Sequence, residues 1–280
     1  MVSTRLYDDM LADYDLSTRD AKQAATREVM QRFALAGLHA GGFFGQAAFY
    51  GGTALRLLYG LDRTSEDMDF SLLSPQEGFT LEPYFAPLID EFALAGHEVT
   101  ISEKKKSHAT AIDSAFLKDN TRQYDVIGNL LPTIRIKIEV DTLPPPLFET
   151  EYRLSMKPYS FMVRCYTLPS SFAGKMSAVL YRAWLNRVKG RDWYDFEWYV
   201  RNGIAMDLRH VSARARQITG RADELDEGGF RKLLADKIAS TDFAKARRDV
   251  TPFITDVSRL EIWSTEYFHM VAEQMRIQEH

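Results

Sequence analysis

The chain has 280 residues, 45% hydrophobic and 26% charged, the balance of a soluble globular protein with length enough for two domains. A formal net charge of -4 gives no global basic footprint, so any nucleic-acid contact must come from a local patch. The single cysteine, Cys165, excludes an intramolecular disulfide and a multi-cysteine zinc site, and no apolar run reaches the ~18 residues of a membrane span.

The start Met1-Val2-Ser3-Thr4-Arg5 lacks an apolar h-region, so a cytoplasmic location is expected. Asp15-Leu16-Ser17-Thr18 reads as a cap for a helix from Arg19 to about Leu35, with Val29, Phe33 and Ala36 along one stripe. Gly37 and the pair Gly41-Gly42 are expected to break it. Ala47-Ala48-Phe49-Tyr50 reads as a short buried strand ending on Gly51-Gly52. Thr53 then fits the N-cap of a helix over Ala54–Tyr59, stopped by Gly60. Asp67–Leu72 alternates as the next strand, with Met68, Phe70 and Leu72 on one face and Asp67, Asp69 and Ser71 on the other. A helix over Glu82–Ala95 and a strand over His97–Ile101 follow. The run Lys104-Lys105-Lys106-Ser107-His108 reads either as a solvated hairpin tip or as a patch for an RNA backbone.

Thr133–Asp141 is the clearest strand. Ile134, Ile136, Ile138 and Val140 line one face; Arg135, Lys137, Glu139 and Asp141 line the other. The charged face is either the solvated side of a sheet or, beside the Asp67/Asp69 strand, the source of a third carboxylate. Pro144-Pro145-Pro146 suggests a rigid crossover. Beyond residue 167 the pattern turns helical. Leu168-Pro169-Ser170-Ser171 reads as a turn and cap for a helix over Phe172–Val188, which puts Lys175 and Arg182 on one face. Gly190 is expected to break the chain before Arg191–Tyr199 resumes, with Asp192 and Asp195 on one face. Those two carboxylates can cap the helix or pair with Arg182 and Arg191. Phe230–Leu234, Phe253–Val257 and Tyr267–Met275 read as amphipathic helices. The organisation is α+β, with an α/β core over 1–160 and a mainly helical domain over 161–280.

Two fragments carry chemistry. The Gly51-Gly52-Thr53 turn opening a helix offers backbone N–H groups to phosphate. Asp67 and Asp69, one residue apart on a strand, point the same way and can chelate a divalent cation. Phosphate cradle and carboxylate pair together suggest chemistry on a nucleoside triphosphate. Arg63 and Ser65, just before the carboxylate strand, are candidates for phosphate contact or simple loop residues.

These residues reach a family resemblance. Gly51–Gly60 followed by Arg63–Leu72, the strand Arg135–Val140, then Phe172–Ala178 and Gly190–Asp195 together resemble the AbiEii/AbiGii toxin family, a branch of the DNA polymerase β-like nucleotidyltransferases that includes the MenT-type toxins. The motifs fall in order between about residues 46 and 200. The resemblance implies a mixed sheet flanked by helices, with the site at one edge. It implies that Asp67 and Asp69 hold Mg²⁺ (or Mn²⁺), that two such ions clamp an NTP and activate an acceptor hydroxyl, and that Gly51, Gly52 and Thr53 bind phosphate. Glu139 aligns best with the family's third carboxylate, and Asp141 competes for that place. Lys175 matches a lysine that faces the triphosphate, where Lys137 and Arg182 are further nucleotide-binding candidates. Asp192 matches the acidic residue of the last motif, with Asp195 one helical turn on.

The function so implied is an Mg²⁺-dependent nucleotidyltransferase, the toxin of a bacterial toxin–antitoxin or phage-defence pair of type IV. It would act on tRNA or another acceptor and have a cognate antitoxin encoded nearby. The rival expectations are a nucleotide-binding regulator without transfer activity and a metal-dependent phosphohydrolase. This chain departs from the family in one respect: Phe49-Tyr50 precedes the glycine turn, where relatives often carry a longer basic or aliphatic approach.

Overall fold

A computed structural model describes residues 3–103, 121–128, 134–144, 147–181, 188–220 and 225–278. The elements run α1 (Ser3–Leu11), α2 (Arg19–Ala40), β1 (Ala47–Tyr50), α3 (Gly51–Tyr59), β2 (Asp67–Leu72), α4 (Phe85–Leu94), β3 (Val99–Glu103), β4 (Thr121–Gly128), β5 (Ile134–Asp141), β6 (Thr150–Ser155) and β7 (Phe161–Tyr166). There follow α5 (Leu168–Tyr181), α6 (Gly190–Arg201), β8 (Ala205–Asp207), α7 (Leu208–Thr219), α8 (Glu227–Ala239), α9 (Phe243–Val250), α10 (Thr265–Glu273) and β9 (Arg276–Gln278). The protein is α+β, and the chain divides into two compact units. Met1–Ala109, Asn120–Pro144 and Glu151–Cys165 form the first; Thr110–Asp119, Pro145–Thr150 and Tyr166–His280 form the second.

The first unit is built on a seven-stranded mixed sheet in the order β3-β4-β5-β2-β1-β7-β6. β1 runs antiparallel to β2, β2 parallel to β5, and β4 antiparallel to both β3 and β5. Alternation along the strands supplies the core: Met68 and Phe70 of β2 and Ile136, Ile138 and Val140 of β5 are fully buried. Phe70 stacks on Phe49 at 4.9 Å between ring centroids and meets Phe43 edge-on at 5.2 Å. Thr18 caps α2, accepting from the Ala21 N–H at 3.1 Å.

Gly37 does not break α2, contrary to expectation. The helix continues to Ala40, and a Cβ at Gly37 would lie 2.8 Å from the Leu88 Cα of α4. This glycine serves a close helix–helix approach rather than a turn.

The described residues of the second unit are mainly helical, and β8 and β9 there pair in parallel. Its core is aromatic: Phe172 stacks on Tyr199 at 4.4 Å, Phe243 stacks on Phe268 at 4.5 Å, and Trp193 meets both Phe243 and Phe268 edge-on at 5.1 Å. Three boundaries differ from the sequence expectations. α5 begins at Leu168 rather than Phe172, because Pro169 fits a first turn whose N–H groups lack partners anyway. Its expected continuation towards Val188 falls on residues 182–187, outside the described ones. Gly190 starts α6 rather than breaking the chain, since a Cβ there would collide with the Ala246 carbonyl of α9. Phe253–Val257 is not a helix. Pro252 lies in a one-turn 3₁₀ segment, Ile254 is extended, and Asp256 caps a second such segment by accepting from the Ser258 N–H at 3.2 Å.

No described helix is long and apolar enough to cross a membrane.

Candidate functional site

In the first unit, β1 ends at Tyr50, which pairs with Asp69 of β2, so the glycine turn begins beside that carboxylate. Gly51 adopts a left-handed φ of +82°, and a Cβ there would collide with Asp69 Oδ2. A Cβ at Gly52 would stand 2.6 Å from Arg63 Nη2 and 2.9 Å from Ser65 Oγ. Glycine at both positions therefore lets the backbone touch Asp69, Arg63 and Ser65 at once. Thr53 does not cap the helix as expected. Tyr50 takes that position, and the buried Thr53 hydroxyl donates instead to the Asp67 carbonyl, tying the first turn of α3 to the start of β2.

One positioning residue escaped the sequence reading. Gln31, buried on α2, donates from Nε2 to the Ser65 carbonyl at 3.1 Å and the Glu66 carbonyl at 3.0 Å. It fixes the segment that leads into β2. A glutamine among the buried positions of an amphipathic helix is the signal that could have revealed it, since a buried amide needs partners.

The parallel register of β2 and β5 sets Asp67 beside Lys137, Asp69 beside Glu139 and Ser71 beside Asp141. Of the two competing third carboxylates, Glu139 thus neighbours Asp69, while Asp141 lies one step further on and accepts from the Leu143 N–H at 3.1 Å. Lys137 Nζ forms an ion pair with Glu139 Oε1, and Gln123 Nε2 of β4 donates to the same oxygen at 3.0 Å. Burial acts against the Lys137 charge, but the hydrogen bond to Glu139 and the charges of Glu139, Asp67 and Asp69 outweigh it and hold the ammonium above its usual pKa.

Among the described residues, no group of three or more His, Cys, Asp or Glu side chains is placed to hold a metal ion. The donor chemistry of Asp67 and Asp69 still fits a hard oxygen-seeking cation, on one strand face against a glycine backbone. Glu139, one of the two candidates for a third oxygen donor, is instead engaged by Lys137 and Gln123.

The second unit carries a charged group of its own. Lys175 Nζ of α5 reaches Asp192 Oδ1 at 2.7 Å and Asp195 Oδ2 at 2.8 Å, both on α6. All three side chains are largely buried, and Asp195 is fully so. The two aspartates share a helix face and both ion-pair with Lys175, and the Arg191 guanidinium lies 4.2 Å from the Phe253 ring centroid. Arg182 lies outside the described residues, as does the Lys104–His108 run. Cys165 is buried, and its thiol is pushed up to about 11 mainly by burial, so it is an inert core thiol rather than a nucleophile.

A family model described as nucleotidyl transferase AbiEii toxin, type IV TA system, matches residues 34–271. Among solved structures, the chain is similar to MenT4, the nucleotidyltransferase toxin Rv2826c from Mycobacterium tuberculosis H37Rv, at 18% identity and a TM-score of 0.61, over 95% of this chain and 89% of that one. It is also similar to JHP933 from Helicobacter pylori, at 17% identity and a TM-score of 0.52, over 90% of each chain. No curated protein matches the chain.

Proposed function

The chain belongs to the AbiEii family of nucleotidyltransferase toxins of type IV toxin–antitoxin systems, and from that premise we propose an Mg²⁺-dependent enzyme that transfers a nucleotide from an NTP to the acceptor end of tRNA or to a similar acceptor. The observation that carries this reading is the contact of the Asp69 carboxylate with the backbone of Gly51, at the head of α3. It supports a site in which phosphate oxygens on the helix N-terminus and a cation on the carboxylates are immediate neighbours.

In this reading the N–H groups of Gly52 and Thr53, which a first helical turn leaves without helical partners, receive the triphosphate. The Arg63 guanidinium and the Ser65 hydroxyl border the same turn and orient it. Asp67 and Asp69 would hold Mg²⁺ or Mn²⁺, and Glu139 would join them as a third donor once released from Lys137. The bound cation supplies charge neutralisation and lowers the pKa of a ligated hydroxyl. The acceptor hydroxyl loses its proton to solvent as its oxygen forms a bond to the α-phosphorus, and the bond from that phosphorus to the α–β bridging oxygen breaks, releasing pyrophosphate. Within the second unit Lys175 is held by Asp192 and Asp195, and it is by the family resemblance alone that we assign it to the leaving charge. Arg182, from the shared helix face in the sequence, stands as a further nucleotide contact. The family's type IV system implies a cognate antitoxin, which we place in a neighbouring gene, and a cytoplasmic site of action follows from the tRNA acceptor.

The test offers each α-³²P-labelled NTP in turn to total tRNA, with Mg²⁺ and with chelator. Label on tRNA from one preferred NTP, lost with chelator, supports the reading. Label that stays on tRNA in chelator removes the cation from it, and label that never leaves the NTP pool removes tRNA as acceptor.

A further inference from the structure

The acidic strand pair already contains a cation of its own. We propose that Lys137 is a built-in counter-ion of the Asp67/Asp69/Glu139 group, which a divalent cation must displace on entry, so that Lys137 sets the threshold for metal loading. The proposal rests on Asp67 and Asp69 being the metal ligands proposed above.

Three observations carry it. First, the β2–β5 register puts Lys137 directly beside Asp67 and Glu139 directly beside Asp69, and alternate residues of each strand share one face. The ammonium therefore belongs to the same patch as the carboxylates. Second, Lys137 is ion-paired to Glu139 through Oε1, the oxygen that also accepts from Gln123 Nε2 at 3.0 Å. Glu139 thus cannot turn that oxygen towards a metal without giving up both partners. Third, the pair is partly buried, with side-chain exposures of 28% for Lys137 and 22% for Glu139. Charges in such a setting act on one another more strongly than on an open surface. A divalent cation brought against Asp67 and Asp69 would meet the neighbouring ammonium as a like charge. The four-carbon lysine stem gives the ammonium a route out by rotation, which a short or rigid cation would lack.

The test is Mn²⁺ alone, titrated without nucleotide into the full-length chain, with free Mn²⁺ followed by electron paramagnetic resonance. Lys137→Met keeps the stem and removes the charge, and it should tighten Mn²⁺ binding by about 10-fold, the equivalent of ~1.4 kcal/mol. Lys137→Arg, which keeps the charge, should bind no tighter than wild type. A purely structural lysine predicts the opposite order, with Lys137→Met binding more weakly. Lys137→Gln carries the same expectation as Lys137→Met should the latter fail to fold. Asp67→Asn separates the two levels. If it abolishes Mn²⁺ binding while Lys137→Met matches wild type or binds more weakly, the counter-ion role is overturned and the metal site stands. If Asp67→Asn leaves Mn²⁺ binding intact, or wild type binds none, the metal site falls and the counter-ion role falls with it.

Discussion

At Gly51, a left-handed φ of +82° and the adjacent Asp69 carboxylate both act against a side chain. Backbone strain alone costs an L-residue there about 1–2 kcal/mol. Gly51→Ala should therefore lower the melting temperature and, by pushing Asp69 off the turn, reduce nucleotide transfer by more than the stability loss accounts for. Melting curves paired with transfer rates at a temperature where the variant is folded check this; a folded variant with wild-type transfer would contradict it. Lys175 poses a different residue-scale question, because its ammonium is ion-paired with two buried aspartates. Lys175→Met removes the ammonium from both buried carboxylates, and breaking a buried pair in this way costs about 3–5 kcal/mol. Denaturant unfolding should show that cost, and adding Asp195→Asn should recover part of it. Equal stability for Lys175→Met and wild type would mean the group is not an ion-pair network. The carboxylate pair Asp67/Asp69 was visible in the chain because a strand alternates. Its relation to Glu139 against Asp141 was not, because that choice depends on register between strands far apart in sequence.

At the scale of elements, α2 does more than cover the sheet. Gln31 holds the carbonyls of Ser65 and Glu66, just where the chain turns into β2. Gln31→Ala removes both donations and leaves two carbonyls short of a partner, which costs about 1–3 kcal/mol. Hydrogen exchange should rise in residues 64–67 first, and protection there equal to wild type would contradict the assignment. The misread elements share a cause. Gly37 and Gly190 look like helix breakers on paper, yet each is glycine because another backbone passes within contact distance, Leu88 in one case and Ala246 in the other. A single chain shows the missing side chain but not the neighbour that requires it. Thr53 was misread likewise: a threonine at a helix start suggests a cap, whereas its hydroxyl is spent on the Asp67 carbonyl. Strands β2 and β5 were legible because their apolar and charged residues alternate without interruption, which no packing partner is needed to reveal.

For the whole molecule, the α+β class was readable from the change of period, two in the strands before residue 167 and nearer 3.6 after it. The two units are less simple than a cut in the chain, since 151–165 belongs with the sheet and 145–150 with the helical unit. Strand pairing decides that membership, and Phe49 of β1 facing Cys165 of β7 is a contact across more than a hundred residues. The family assignment concerns the molecule as a whole, and so does the central proposal built on it: a nucleotide is transferred, with Asp67 and Asp69 proposed at the chemistry. The most direct measurement pairs the covalent label on the acceptor with released pyrophosphate, in a single turnover of an α-³²P-labelled NTP. Wild type should give one pyrophosphate per nucleotide attached. Asp67→Asn/Asp69→Asn, folded by melting curve, should lose at least about 100-fold in rate, the scale of removing preorganised charge stabilisation from a site. Undiminished transfer by that double variant, or pyrophosphate released with no label attached, would contradict the account.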